Sequence, residues 1–157
     1  MKAAGVREIK KELTYRNNED LIRIILRLSR FKKENKELLT YLLFESESEE
    51  SYVESIKDYI DVALDGIKTA SLHRAKKAVR KVLRDTKKFV RYSGNKETEV
   101  QLLIHFCAQM RDRHPKLMRS KVLRDLIERQ KLLARVRIST LHEDLQHDYE
   151  RELNLLD

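Results

Sequence analysis

The sequence predicts an all-α protein, and two observations lead to that prediction. Among 157 residues there are only three glycines, one proline and no tryptophan, which argues against folds with many tight turns, such as sandwiches and propellers. Between these few breaks, apolar residues recur at spacings of three and four, without the sustained alternation of strands. We therefore expect a single domain over residues 1–157, an antiparallel bundle of about six helices joined by short loops.

The first two predicted helices lie in the N-terminal third. Residues 1–17 are expected to form a loosely attached helix; the segment becomes charged at Arg7 before any apolar core develops, unlike a secretory signal. Residues 18–45 allow one unbroken rod of about 40 Å. Asn35 occupies a leucine-type position of its heptad pattern, where it either fixes the register of a coiled coil or marks a solvated kink between two shorter helices.

The next two helices are predicted on either side of a glycine. A polar loop, SESEES at 46–51, precedes the third helix, and Ser51 with Glu54 has capping-box spacing. The apolar residues of the third helix fall on one face: Val53, Ile56, Ile60, Ala63 and Ile67. The corresponding face of the fourth helix consists of Ala75, Ala78, Val82, Thr86 and Phe89. Gly66 and Gly94 follow these helices, where each is expected to take the left-handed conformation that ends a helix.

The last third contains the predicted central helix and a stretch that can be divided in two ways. Residues 100–113 are apolar over most of the helix circumference, which is typical of a central helix, and Pro115 follows its end. Thr140 with Glu143 has capping-box spacing, so residues 140–157 form either a separate helix or a continuation of the preceding one. Their apolar stripe is expected to dock on its own bundle or on a second copy; it comprises Leu141, Leu145, Tyr149, Leu153 and Leu156.

Charge is the most informative functional feature of the sequence. The chain has 34 basic and 26 acidic residues, a net charge of +8, and residues 73–92 alone hold nine basic residues and one acid. The candidate contact residues for a polyanion such as RNA are Arg74, Lys77, Lys81, Arg84, Lys88 and Arg91. We call these six the basic stripe, because they repeat at spacings of three and four and so follow one face of a helix. Such a stripe suits contact with phosphates.

Acidic residues in the preceding helix favour a second interpretation of the basic stripe. Glu54, Asp58, Asp61 and Asp65 have the same rhythm, and residues 45–93 hold 11 basic and 9 acidic residues. If the two helices form a hairpin, the stripe is neutralised in exposed pairs worth about 0–1 kcal/mol each. We favour this locally paired, solvated face over a binding surface.

Two further basic bands keep the binding hypothesis open. One follows the second helix at Arg23, Arg27 and Arg30, and the other covers residues 111–137, with ten basic and three acidic residues. No aromatic ribonucleoprotein motif, GXXG loop or zinc-finger spacing is present, so nucleic acid would be contacted through its backbone. The fourth helix also lacks the Asn and Gln residues that read base edges, which argues against a helix-turn-helix.

No group of residues passes the spacing test for catalysis or metal binding. His142 and His147 are five residues apart, about 140° around a helix, instead of the four that place two zinc ligands on one face. His105 and Cys107 point in nearly opposite directions, and no glycine-rich phosphate loop exists. We expect no enzyme activity, no cofactor, no metal and no small-molecule substrate.

The single cysteine and the short apolar runs indicate where in the cell the protein is expected. Cys107 has no partner for an intramolecular disulfide and lies among apolar neighbours, which indicates a buried thiol in a cytoplasmic protein. The longest apolar runs, 38–44 and 100–110, are shorter than the roughly 20 residues of a membrane span. No contact with a membrane is expected.

Two segments also resemble a known group of proteins. The runs RYSGNKETEVQLLIHFC at 91–107 and TLHEDLQHDYERE at 140–152 resemble an uncharacterised all-helical protein family of Bacteroidetes bacteria. The resemblance implies a helical bacterial protein and brings no activity, ligand or residue role. From the residues themselves we expect a non-catalytic protein that acts by protein–protein contact, with homodimerisation as the first possibility and RNA or DNA backbone binding as the alternative.

Overall fold

The computed structural model describes all residues 1–157 and is all-α, with no strand. The chain divides into two compact units, Met1–Phe44 and Glu45–Asp157, called here the N-terminal and C-terminal units. Eight α-helices are present, so the prediction of about six is wrong. The difference arises where two stretches with continuous apolar periodicity are broken. No helix combines the length and the apolar character needed to cross a membrane.

The N-terminal unit contains three helices. Their bounds are α1 Val6–Thr14, α2 Asn18–Phe31 and α3 Lys33–Thr40, followed by a π-helical turn at Tyr41–Glu45. The side chain of Asn17 begins α2 by accepting a hydrogen bond of 2.8 Å from the backbone N–H of Asp20. Such a cap satisfies one of the free N–H groups of the first turn.

The predicted single rod over 18–45 is broken at Lys32, whose backbone is extended (φ −141°, ψ 146°). The break leaves the carbonyl of Leu28 without its helical partner. Asn35 fills that place: its Nδ2 donates a hydrogen bond of 2.9 Å to this carbonyl oxygen. Asn35 therefore stabilises the kink between two shorter helices, the second of the two alternatives drawn from its heptad position.

The C-terminal unit contains five helices arranged around one of them. Their bounds are α4 Glu49–Asp65, α5 Leu72–Ser93, α6 Lys96–Arg113, α7 Lys121–Ile138 and α8 Glu143–Asn154, with a short 3₁₀ helix at Leu117–Arg119. Helix α6 packs against α4, α5, α7 and α8, and its Val100, Leu102, Phe106 and Met110 are fully buried. The predicted central helix is confirmed.

The turns of the C-terminal unit agree only in part with the sequence signals. Gly94 is left-handed (φ 67°) as predicted, but Gly66 is right-handed (φ −72°), so that prediction is wrong. The chain continues its helical turn through Gly66, because the N–H of buried Ile67 donates to the carbonyl of Leu64 at 3.0 Å. The cap of α4 is Ser48, which accepts from the N–H of Ser51, and not Ser51 itself.

The end of α6 and the start of α8 are each fixed by a histidine. His114 is buried, and its Nε2 lies 2.9 Å from the carbonyl oxygen of Leu64, tying the end of α6 to the last turn of α4. Helix α7 ends at Ile138, so residues 117–156 do not form one helix. The N-cap of α8 is His142, whose Nδ1 accepts from the N–H of Asp144; the expected cap at Thr140 is therefore wrong.

Candidate functional site

The basic stripe follows the outward side of α5. Five of its six residues, all except Lys88, are exposed and form no ion pair. Lys88 is half-buried, and its Nζ lies 4.8 Å from the ring centroid of Phe89. The opposite side of α5 is buried and consists of Ala75, Val79, Val82, Leu83 and Thr86. The amphipathic pattern thus places five unneutralised cations in solvent along one helix.

Two acidic residues of α4, Asp61 and Asp65, contact α6 and not the basic stripe. Arg113 on α6 donates to Asp65 at 2.6 Å and to Asp61 at 2.9 Å. The second carboxylate oxygen of Asp61 lies 2.7 Å from Nε2 of His105, also on α6. The paired face that we favoured from the sequence is therefore not found for the five exposed cations of the stripe, because α6 holds these α4 carboxylates.

The single acid of α5 is also held by α4. The hydroxyl of Tyr59 donates a hydrogen bond of 2.8 Å to Asp85, and its ring meets Phe89 edge-on, with ring centroids 5.3 Å apart. These contacts place α4 along the side of α5 that carries Asp85 and Phe89. Most of the stripe lies farther around the helix, but Lys81 borders a groove that it shares with Tyr59 and Val62 of α4.

A second row of cations extends the stripe on the side away from α4. Lys76, Arg80 and Lys87 form no ion pair, and at 100° per residue they fall between the stripe and the side of α5 nearest α7. Burial lowers the pKa of Lys87, opposed by the charge of Glu99 and assisted by that of Arg129 on α7. Arg129 is exposed and unpaired. These four residues were included in the charge counts from the sequence but were not assigned to the candidate site. The helical angle alone would have grouped Lys76, Arg80 and Lys87.

Three of the five other cations of α7 form ion pairs, whereas Lys121 and Arg124 form none. Arg137 forms an ion pair with Glu99 at 2.6 Å, and Arg135 pairs with Asp157 at 2.8 Å. Lys131 is buried and pairs with Glu128 at 3.1 Å and with Asp157. Although burial lowers its pKa, these two carboxylates outweigh it, and the pKa of Lys131 is raised overall. Arg129 is therefore the cation of this helix that adds most directly to the surface of α5.

Charge is unevenly divided among the five helices of the C-terminal unit. Helix α5 has a net charge of +8 and α7 of +4, whereas α4 has −5, α8 has −4 and α6 is neutral. Helices α4 and α8 approach α6 at one side, where Lys57, Gln101 and Tyr149 line a common cleft. The charges of Lys87 on α5 and Lys131 on α7 both lower the pKa of the buried Cys107 on α6, against the larger effect of burial. The unit thus has a basic side, α5 with α7, and an acidic side, α4 with α8.

The N-terminal unit carries most of the exposed apolar side chains. Apart from Met1, fourteen large hydrophobic residues of its 44 are exposed, compared with six of the 113 in the C-terminal unit. We call these fourteen the N-terminal apolar surface: Val6, Ile9, Leu13, Tyr15, Ile22, Ile24, Ile25, Leu26, Leu28, Phe31, Leu38, Leu42, Leu43 and Phe44. No residue of α1, α2 or α3 is fully buried.

A shallow groove within the N-terminal unit is part of this surface. Its volume is about 480 Å³, and its apolar lining consists of Val6, Ile9 and Leu13 on α1 with Leu21 on α2. The three residues of α1 recur at spacings of three and four, so they form one face of the helix. Neighbouring helices of this unit therefore leave an open apolar channel between them.

The C-terminal apolar stripe is used within its own unit. Tyr149 and Leu153 are buried, and Leu141, Leu145 and Leu156 are half-buried, because α8 packs against α6 and α7. The first of the two alternatives for this stripe, docking on its own helices, is confirmed. It does not add to the exposed apolar surface.

The histidines and the cysteine do not form a common chemical site. His142 caps α8 and His147 is exposed, and no three His, Cys, Asp or Glu side chains are grouped in a way that could hold a metal ion. Cys107 is buried, as predicted, and burial raises its pKa to about 12. His105 points instead to Asp61, so the expected separation of the two side chains is confirmed.

An acidic cleft between α4 and α6 was not found from the sequence. It measures about 400 Å³ and is lined by Glu49, Glu50, Glu54 and Glu97, with Asn95 and Thr98. Ser93 and Thr98 donate hydrogen bonds to Glu49, which joins the start of α4 to the turn between α5 and α6. No sequence signal connects these residues, because they are brought together only by helix packing.

Comparison with known proteins identifies no relative: no family model, curated protein or solved structure matches the chain.

Proposed function

We propose that this chain is a non-catalytic helical protein that acts by protein–protein contact, with a second copy of itself as the partner. The observation that carries the proposal is the N-terminal apolar surface, where fourteen large hydrophobic side chains are exposed within 44 residues. A contiguous apolar patch on a monomeric protein seldom exceeds a few hundred Å². Exposure on this scale is typical of a surface that another protein covers.

The lengths of the helices support the need for such a cover. Isolated helices shorter than about 12–15 residues are marginal in water, and most helices in proteins are stabilised by packing of their apolar face. Helix α1 has nine residues and α3 has eight, and neither contains a buried residue. Their apolar faces therefore need a partner surface to hold them in helical form.

A second copy fits this surface better than an unlike partner. A stable interface uses roughly 20–30 residues from each side, and the fourteen apolar residues with their polar neighbours supply a patch of that size. In a two-fold dimer the same patch meets itself. Residues 1–44 hold 11 basic and 6 acidic residues, a net charge of +5, and Arg23 is paired with Asp20 at 3.2 Å. Burial of the apolar side chains therefore has to outweigh like-charge repulsion between two copies, which salt screens.

The proposal also includes the arrangement of the helices and the cellular location. We infer that the C-terminal unit is an antiparallel bundle, because the connections between its successive helices are short, from two residues at Gly94–Asn95 to seven between Arg113 and Lys121. We also infer a cytoplasmic location, because the single cysteine is a buried free thiol.

The experiment compares the oligomeric state of the full chain with that of two matched variants. Ile25→Asp/Leu28→Asp places two charges on α2, at side chains 43% and 55% exposed, and Val62→Asp/Val136→Asp makes the same change at side chains 74% and 60% exposed in the C-terminal unit. We expect a dimer by light scattering for the parent and for the second variant, and a monomer with less helical circular dichroism for the first. A parent that stays monomeric at high concentration, or a dimer that survives the first variant, would contradict the proposal.

A further inference from the structure

The basic side of the C-terminal unit combines three properties that point to a ligand. Its cations are numerous, six of the nine on α5 are exposed, and apart from Lys88 those of α5 form no ion pair. They are also collected on α5 and α7, two helices of net charge +8 and +4 that both pack against α6, whereas the acidic helices α4 and α8 meet at a shared cleft on α6. A surface that is bare, basic and one-sided attracts polyanions and orients them.

We propose that α5, together with Arg129 of α7, binds double-helical nucleic acid through its sugar-phosphate backbone. The basic stripe extends from Arg74 to Arg91, 17 residues apart along one straight helix, which corresponds to roughly 25 Å. At about 3.4 Å per base pair this length matches roughly seven base pairs of duplex. The row formed by Lys76, Arg80 and Lys87 broadens the stripe on the side away from Asp85, and Arg129 of α7 is near enough to Lys87 for its charge to lower the pKa of that residue.

The side chains on this surface favour a duplex over a single strand. Proteins that bind single strands stack bases on exposed aromatic rings, but the aromatic residues of α5 are already engaged. Phe89 packs edge-on against Tyr59 and Tyr92, with ring centroids 5.3 and 6.2 Å apart. Contact with phosphates on a preformed double helix needs no such platform.

The same side chains exclude readout of sequence and argue against a membrane partner. The outward face of α5 has no Asn or Gln, the residues that form paired hydrogen bonds with adenine, so binding is expected to be independent of base sequence. A helix that lies on a membrane presents apolar residues to it, whereas the apolar residues of α5 after Leu72 are buried or half-buried against its own unit. From Arg74 onward, the exposed side chains of α5 are all cations.

The test measures binding of 20-base-pair RNA and DNA duplexes by fluorescence anisotropy between 50 and 200 mM salt. The key variant is Lys81→Glu/Arg84→Glu, because both side chains are exposed and unpaired in the middle of the stripe. The matched control is Lys68→Glu/Lys116→Glu, which makes the same change in net charge at exposed loop residues outside α5. Circular dichroism melts show whether each variant is folded.

The proposal predicts binding of at least one duplex, with a slope of log affinity against log salt of about −4 to −5 for five phosphate contacts. The folded Lys81→Glu/Arg84→Glu variant should bind at least tenfold more weakly, and the control within twofold of the parent. Absence of duplex binding at 50 mM salt, unchanged binding by the folded key variant, or preference for single-stranded RNA or for vesicles of anionic lipid over both duplexes would overturn it. The RNA and DNA measurements identify which duplex is the ligand.

Discussion

The hydroxyl of Tyr149 on α8 donates a hydrogen bond of 2.7 Å to the carboxylate of Glu97 in the first turn of α6. Gln101, one turn further along α6, donates to the same phenolic oxygen at 2.8 Å. The Tyr149 side chain is buried, and both hydrogen bonds are half-buried at the edge of a cleft. The pair holds the acidic helix α8 on the side of α6 that is remote from the basic stripe.

Replacing Tyr149 with Phe should therefore lower the free energy of unfolding. The ring still fills its site, but Glu97 loses its donor and Gln101 its acceptor, a change worth about 1–2 kcal/mol for hydrogen bonds that involve a charged group. Urea denaturation at neutral pH measures the effect. Tyr15→Phe is the control, because Tyr15 is 76% exposed and should leave stability unchanged. Equal midpoints for Tyr149→Phe and the parent would show that the buried bonds contribute nothing.

The same residue predicts a loss of stability in alkali. Burial raises the pKa of Tyr149, and the hydrogen bond to Glu97 raises it further. In the unfolded chain the phenol loses its proton near pH 10, while the folded protein keeps it. The stabilising contribution is therefore present below about pH 10 and is lost as the pH rises above it. The difference in stability between the parent and Tyr149→Phe should narrow from pH 9 to pH 11, and a constant difference would contradict this assignment.

Two glycine substitutions should have opposite effects. Gly94 has φ 67°, and no atom lies within 4 Å of an added Cβ, so Gly94→Ala costs only the left-handed backbone conformation, roughly 1–2 kcal/mol. Gly66 has φ −72°, and an added Cβ would lie 3.6 Å from its nearest atom, the Val62 carbonyl oxygen. Gly66→Ala should therefore leave stability unchanged or raise it by about 0.4–1 kcal/mol. Thermal melts of both variants decide the matter, and destabilisation by Gly66→Ala would contradict the assigned conformation.

The buried thiol of Cys107 should be inert in the folded protein. Burial raises its pKa to about 12, so almost no thiolate exists at pH 8, and the thiolate is the reactive form. A chromogenic disulfide reagent should label no thiol in native buffer and one per chain in concentrated urea, because the sequence has one cysteine. Rapid labelling of the native protein would mean that α6 is not enclosed as the structure has it.

Periodicity was a reliable guide wherever one helix face is apolar and the other charged. On α5 it correctly placed Ala75, Val82 and Thr86 inside, because burial of apolar area dominates the free energy of packing. It chose the half-buried Ala78 and Phe89, however, in place of the buried Val79 and Leu83. It could not place the break at Lys32, since apolar spacing continues through the kink that Asn35 stabilises. The left-handed conformation predicted for Gly66 was wrong for a similar reason. The conformation of this residue is set by the burial of Ile67, a tertiary effect.

The candidate site was predictable in composition but not in its surroundings. The stripe from Arg74 to Arg91 follows from helical spacing alone. Whether the acids of α4 neutralise the stripe depends on which helix these acids face. Arg113 of α6 holds Asp61 and Asp65, and it lies 48 residues beyond Asp65 in the chain. No local pattern connects residues so far apart. The effect of the Arg129 charge on the pKa of Lys87 likewise joins residues that are far apart in the chain.

Arg129 allows the extent of the proposed nucleic-acid surface to be measured. If the surface includes α7, Arg129→Glu should weaken duplex binding and make the salt slope shallower by about one, the change expected on losing one phosphate contact. The variant should fold normally, because Arg129 is exposed and forms no ion pair. Lys116→Glu, with the same change in charge at an exposed position in the loop before α7, serves as the control. A wild-type slope for a folded Arg129→Glu variant would restrict the contact to α5, whereas a reduced slope places the duplex across both basic helices.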